Sequence, residues 1–407
     1  MKKHGFFRFL TALALTVTLA APIHAAAEEM AADNPSALLV PIRQEYAGQF
    51  ADISGKWCEA AVSTCYQTGL LAGKTADRFD AVGKLTCAQI TAISARFLSL
   101  LNGETGVFPA PAEGEAWYQP YAAYLAAASD NEAVQVFLND LTLYPGQPDT
   151  PCTRGGFVRM LSGILPADAL RPVNNVSCVI DSADADVLQF YQAGILSGTD
   201  AYGTFGSEDP LTRGAAAAML ARVVDQAQRL TFTLKEFDLC RDILGVAPDT
   251  VLLTVEGETV SAELFAHQLC KSLCQWEGDA QKALEDAIHV WCRNDAPFHV
   301  LAAETGVALS EEKQSGLSAQ AQTRAGMYGL SAAYWQRYLE NISLNLALAQ
   351  RYSDLDWKQG ERLYHDALEV RSNALEQSAS PSEHLRALDL KDAYAKLKTT
   401  AFAAWAL

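Results

Sequence analysis

The sequence predicts a mainly α fold: three copies of a helix-loop-helix unit, then a second helical domain that opens on a short strand. Three observations carry this. The segments around residues 50–99 and 180–225 share one order of parts, the mark of an internal repeat. Each copy closes on an apolar run with helical spacing. Beyond residue 229 that spacing continues almost to the end, preceded only by VLLTVEGETV at 251–260, a β-rich run with a Gly turn.

Residues 1–27 stand outside this fold. Lys2, Lys3 and Arg8 precede an apolar stretch from Phe9 to Ile23, and small residues follow at Ala25 to Ala27, the build of a secretory signal peptide. Pro22 and the Ala-rich site after it argue for cleavage rather than for a membrane anchor. No later stretch approaches the roughly 18 to 20 apolar residues that span a bilayer. Cleavage removes three positive charges and takes the net charge from −17 to about −20. A field of that sign repels nucleic acid and anionic lipid, so any anionic ligand must be gripped by local groups. All nine cysteines lie beyond the leader, an odd number, so at least one is free or intermolecular. Their scatter through apolar stretches suits small buried thiols.

The first unit, 46–103, and the third, 171–229, align part by part. An Asp opens each (Asp52, Asp181), and a Gly-apolar-apolar-x-Gly turn follows (Gly69 and Gly73, Gly194 and Gly198). A Thr then lies seven positions after an aromatic, Thr86 after Phe79 and Thr212 after Phe205. The second unit, 104–170, is degenerate: AWYQPYAAYLAAAS, a polar and Pro-rich insertion, then PCTRGGFVRMLSGIL with Thr153 as the matching anchor. The three anchors are 67 and 59 residues apart, one helix-loop-helix unit each.

Each anchor Thr precedes an apolar-periodic run, the N-cap position, where its hydroxyl accepts a first-turn N–H. In the first unit Thr86 and Gln89 have the spacing of a capping box. A helix start attracts an anion, and Arg154 and Arg213, directly after their caps, add a planar fork suited to a carboxylate. Gly73 and Gly198 are expected to let backbone approach a bulky ligand. Trp57 and Trp117 are expected to stack on a sugar ring. The bland alternative for each is structural: a stabilising cap, a turn glycine, a core indole.

These units resemble the S-layer homology (SLH) family, whose repeats read roughly F-x-D, W, G-I-I-x-G, F-x-P and I-T-R-A-E before a helix. The resemblance covers about residues 46–229. It implies a three-pronged spindle with pseudo-threefold symmetry that binds an anionic, pyruvylated secondary polysaccharide of the bacterial cell wall, and so a location at the cell wall. The first unit departs from the pattern with Cys87 where the family has Arg, although Lys84 lies nearby. Gly156 and Ala215 stand where the family has an acid. Two competent pockets at most are expected.

After a linker at 230–250, the domain at 251–407 opens on its strand. Ser261 reads as the N-cap of the next helix, with Glu263 in its first turn. Further helices are expected near 279–305, 310–325, 331–351, 358–377 and 389–405. The run from V-x-G-E-x-V-S-A-E-L-F through LSAAYWQRYLENISLNLALAQRYSD, with the tail LDLKDAYAKLK, resembles the chaperone region of exported SurA/PrsA-type foldases. Those foldases carry a parvulin prolyl isomerase module of roughly 90 residues between the two parts. Here 35 residues lie between Tyr352 and Leu388, too few for that sheet. The resemblance therefore implies a client-binding domain for unfolded exported proteins, without the catalytic module. Trp276, Trp291, Tyr334, Trp335 and Tyr338 are the candidate client-binding residues, with core packing as the alternative for each.

His267, Cys270, Cys274, His289 and Cys292 make a zinc site conceivable, but they sit among apolar residues and lack a Cys-x-x-Cys turn, so no metal is expected. No cofactor is expected either. G-x-S-x-G, H-E-x-x-H and a Gly-rich phosphate loop are all missing, and an enzyme is the minority reading. A purely structural surface-layer component and an active prolyl isomerase stand as alternatives.

Overall fold

The computed structural model describes residues 38–144, 146–400 and 402, so the expected leader lies outside the described residues. The protein is mainly α-helical. Its first half contains α1 (Glu59–Gln67), α2 (Cys87–Leu101), α3 (Gln119–Ala128), α4 (Glu132–Leu143), α5 (Arg154–Ser162), α6 (Ala185–Gln192) and α7 (Arg213–Val224). The three anchor threonines sit where the sequence places them. Thr86 caps α2 with a full capping box, Thr153 accepts from Gly156 N, and Thr212 accepts from Ala215 N.

The residues before those caps meet. Leu85 N donates to Leu211 O (2.9 Å), Leu211 N to Cys152 O (2.8 Å) and Cys152 N to Leu85 O (2.8 Å), so three segments far apart in sequence close a ring of backbone bonds. Leu85, Cys152 and Leu211 are buried at its centre. Around the ring the leading helix of each unit lies on the long helix of another: α1 on α7, α3 on α2 and α6 on α5. Each unit thus completes its core with a helix it does not own. That core runs from Val40 to Val224 and fully buries Phe50, Phe79, Phe97, Phe157, Phe190 and Phe205. The insertion of the second unit is not all loop, because α4 occupies part of it. Asn131 caps that helix, and Val134, Leu138 and Leu141 recur on one face and are buried.

The second half opens on a hairpin of β1 (Val251–Val255) and β2 (Glu258–Ser261). Its turn residues, Glu256 (φ 50°) and Gly257 (φ 86°), both take positive φ, the backbone of a tight primed turn. Then come α8 (Ala262–Gln275), α9 (Ala280–Asn294), α10 (Ala296–Thr305), α11 (Glu311–Arg324), α12 (Ala332–Leu355), α13 (Gly360–Ser378), α14 (Glu383–Ala387) and α15 (Leu390–Lys398). The single helix expected near 279–305 is two, because Asp295 leaves helical geometry (φ −127°, ψ −67°) and Pro297 starts a new helix.

Two further expectations are corrected. A second pairing, β3 (Ser380–Pro381) on β1, makes an antiparallel sheet of order β2-β1-β3 where one opening strand was expected. Within the expected linker, Leu239–Leu244 forms a π-helical turn that buries Leu239, Cys240, Ile243 and Leu244 in the second core. Ile180 of the third unit joins that same core, and its carbonyl accepts from Tyr328 N (2.7 Å). Among the described residues no helix is long and apolar enough to cross a membrane.

Candidate functional site

The start of α7 is built against the first unit. Arg213 N donates to Gly83 O (2.8 Å), Gly214 N to Ala81 O (2.8 Å) and Ala215 N to the Thr212 hydroxyl (3.2 Å). Every N–H of that first turn is already bonded, which corrects the expectation of a bare helix start open to an anion. What remains is the side chain. Arg213 Nε donates to Phe79 O (2.9 Å) and Nη2 to Ala72 O (2.6 Å), while the guanidinium lies 4.6 Å from the Phe79 ring centroid. Its Nη1 has no partner among the described residues. Two carbonyls and an aromatic face hold the fork rigid at the unit boundary.

The surroundings of this guanidinium are charged and aromatic. Trp57 is 71% exposed, and its ring edge lies in van der Waals reach of Gly214, whose missing side chain makes room for Ala81 (3.1 Å from where a Cβ would stand). Asp80 bonds Lys74 (2.8 Å) and Arg78 (3.3 Å), both largely exposed. Asp52 accepts from Phe79 N (2.8 Å) and Asp80 N (2.7 Å). Arg213, Lys74 and Arg78 thus stand among Asp52, Asp77 and Asp80, three cations against three carboxylates.

The start of α5 repeats the arrangement against the third unit. Arg154 N donates to Asp209 O and Gly155 N to Ser207 O (both 2.9 Å), and Gly156 N to the Thr153 hydroxyl (3.1 Å). Arg154 Nε donates to Phe205 O (2.8 Å), with the guanidinium 5.2 Å from that ring. Asp181 accepts from Phe205 N (2.8 Å) and Gly206 N (2.7 Å), as Asp52 does in the first unit. Asp209 and Asp181 act on Arg154 as Asp80 and Asp52 act on Arg213.

The third helix start differs. Cys87 N donates to Thr150 O (2.9 Å), and the Cys87 thiol lies 3.5 Å from the Thr150 hydroxyl. Interaction with the neighbouring Cys152 thiol lowers the Cys87 pKa and raises that of Cys152. Lys84 is exposed, but its backbone pairs with Thr212, so it stands beside the start of α7 rather than that of α2. Trp117 precedes α3 as Trp57 precedes α1, and its half-exposed ring meets Tyr118 and Tyr121.

The turn glycines serve the chain itself. A Cβ on Gly73 would fall 2.4 Å from the Phe50 ring, and one on Gly198 2.5 Å from Gly203 Cα. Only the second of these takes positive φ (84°). The close approach expected of a ligand is made by protein at both.

The five aromatic candidates of the second half separate. Trp291, Tyr334 and Tyr338 line one cavity of about 370 Å³ between α8, α9, α10 and α12. Trp335 is only 7% exposed and belongs to the core, with Arg324 over its ring, which corrects its expected place in a client groove. Trp276 ends α8, 39% exposed, beneath Lys282. Of the histidines in the conceivable zinc cluster, His267 Nδ1 bonds the Tyr334 hydroxyl (2.7 Å) and His289 Nδ1 bonds Glu376 (2.9 Å). Among the described residues no group of three metal-ligating side chains assembles.

The sequence reading missed the Phe79 and Phe205 carbonyl cradles and the task of Asp52 and Asp181. The shared order Asp, Gly turn, Phe, Thr was the available signal. No family model matches the chain, and no curated protein or solved structure matches it either.

Proposed function

We propose that the first half anchors the protein non-covalently to the bacterial cell wall, as three SLH-type units binding an anionic, pyruvylated secondary polysaccharide, and that the second half is a chaperone-like, client-binding domain displayed there. The observation that supports anchoring best is the Arg213 side chain: a guanidinium fixed on two carbonyls, with an exposed indole and two exposed cations nearby. Such a setting suits a sugar ring that bears a carboxylate, since the indole offers an apolar face and Nη1 a charge-assisted bond. Arg154, held on one carbonyl, supplies a second, weaker site. The start of α2, with Cys87 in place of Arg, supplies none.

The experiment is co-sedimentation of the full chain, without its leader, with purified walls that do or do not carry pyruvylated polymer. Binding is expected only to the pyruvylated walls. Arg213→Ala is expected to weaken it by about 1.5 to 3 kcal/mol, the range of a charge-assisted hydrogen bond, and Arg154→Ala by less. Equal affinity of the wild type and the double variant would assign both arginines to structure alone. For the second half, exposed Trp276, Tyr338, Leu355 and Trp357 offer apolar surface to an unfolded chain.

A further inference from the structure

Cys87 stands where the other two helix starts carry Arg, and its surroundings are those of a reactive thiol. It is the first residue of α2, directly after the Thr86 cap, where the helix dipole favours negative charge. Gln147 Nε2 donates toward its sulfur (3.8 Å), the Thr150 hydroxyl lies 3.5 Å from it, and the Cys152 thiol is in hydrogen-bonding contact with it. Cys87 itself is buried, but Thr150 is exposed, so the sulfur is one side chain from solvent.

The backbone holds the two thiols together. Thr86 and Pro151 face each other in an antiparallel bridge, closed by Cys87 N on Thr150 O (2.9 Å) and Cys152 N on Leu85 O (2.8 Å). Side chains alternate along extended chain, so Cys87 and Cys152, each next to one member of that pair, lie on the same face. They form a diagonal pair, and diagonal neighbours stay within side-chain reach. Bonding draws the sulfurs to about 2.0 Å. The shift this needs falls on the loop from Gly146 to Pro151, which holds only the short turn Gln147–Asp149. Cys87 belongs to the first unit and Cys152 to the second, so the bond joins two of the three segments in the central ring.

The two thiols are opposed in character. Cys87 is held below the usual thiol pKa, chiefly by its bond with Cys152, which outweighs burial. Cys152 is pushed up by that same bond and then by burial. The other seven cysteines are all pushed up, burial being the largest cause at each. Of the nine, Cys87 is therefore the thiol set up to attack, and the one beside it keeps its proton until a second step.

We propose that Cys87 and Cys152 are an oxidation site, converted by a low-molecular-weight disulfide into a covalent staple between the first and second units at the start of α2. The Cys87 thiolate attacks one sulfur of the external disulfide, whose S–S bond breaks and releases a small thiolate. Cys152 then gives up its proton and attacks the Cys87 sulfur, and the second small thiolate leaves and takes that proton. Two protein sulfurs are oxidised, and one external disulfide is reduced to a thiolate and a thiol. The helix start that lacks Arg thereby gains a strut, and the closed loop from residue 87 to 152 restrains the unfolded chain. The inference goes beyond wall anchoring and client binding, and its readouts depend on neither.

The test takes the full chain without its leader, fully reduced, incubates it with oxidised glutathione near neutral pH, alkylates it in denaturant and maps it by mass spectrometry. The expected product is one peptide pair joined through Cys87 and Cys152, lighter by two hydrogens, with the other seven thiols alkylated. Dithiothreitol is expected to undo the link and to lower the urea midpoint of the oxidised protein. Cys152→Ser removes the second thiol, so glutathione is expected to stay on Cys87 as a mixed disulfide, whereas Cys87→Ser is expected to leave Cys152 unmodified. Mapping the wild type needs no substitution, so a variant that fails to fold leaves the test standing. The Arg154→Ala, Arg213→Ala double variant is expected to oxidise as wild type does, so failure of wall anchoring and failure of this inference are read separately. Alkylation of both thiols after incubation, a first link between any other pair, or unchanged oxidation of the Cys87→Ser variant would each overturn it.

Discussion

Asp52 and Asp181 do the same work in settings that titrate differently. Burial pushes the Asp52 carboxyl up, but the N–H groups of Phe79 and Asp80 outweigh it and leave the group below its usual range. At Asp181 burial wins over the N–H groups of Gly206 and Phe205, and the carboxyl stays above that range. Each carboxylate nonetheless shapes the loop whose Phe carbonyl holds an arginine of another unit. Asp181→Ala orphans two N–H groups at once and is expected to cost about 2 to 3 kcal/mol in urea unfolding. Asp181→Asn keeps the shape but must turn a donor toward one of the two N–H groups, so it is expected to recover only part of the loss. A midpoint unchanged by either substitution would show that the loop needs no such clamp. The two aspartates were visible in the sequence as openers of repeats, but their task was not. It joins residues 24 to 28 positions apart, beyond any local spacing rule.

At the scale of elements, legibility follows how local the deciding interaction is. The caps at Thr86, Thr153 and Thr212 were readable because a cap involves a hydroxyl and an N–H three residues on. Ser261 passes the same reading and ends in the N-cap position of α8, but its side chain makes no cap bond. Thr250 O accepts from Ala262 N (2.7 Å) and Pro248 O from Glu263 N (2.8 Å), so a returning chain does the capping. The contrast is measurable. Thr212→Ala is expected to cost about 1 kcal/mol, whereas Ser261→Ala should stay within about 0.5 kcal/mol of wild type in the same unfolding assay. Equal losses would mean that the hydroxyl of Ser261 matters after all. The break between α9 and α10 was marked by Pro297 yet passed over, because periodicity runs through it. β3, two residues long, has no sequence pattern, and only its pairing with β1 defines it.

For the whole molecule, the sequence pattern changes after residue 229, yet residues 36–407 form one compact unit whose described buried apolar residues gather into three cores. The joint was not legible in that pattern, since the π-helical turn and Ile180 bury apolar residues of an expected linker and of the third unit in the second core. The proposed chaperone-like reading turns on the segment between Tyr352 and Leu388. Chain that would have to supply a catalytic sheet is spent on the end of α12, on α13, on two residues of β3 and on α14. Those helices have structural work of their own: α13 packs on α9, α10 and α12, and Tyr364 bonds Asn345 (2.6 Å). The protein is therefore expected to leave proline-limited refolding at its uncatalysed rate, in the range of tens to hundreds of seconds. At stoichiometric concentration it is expected to slow aggregation of a denatured client, since Leu355 (62% exposed) and Trp357 (83%) present apolar surface near the end of α12. Acceleration of refolding at catalytic concentration would return the second half to the isomerases. If light scattering of the client is also unchanged, a structural role in the surface layer becomes the better account, because the same exposed residues then have only other copies of the chain to meet.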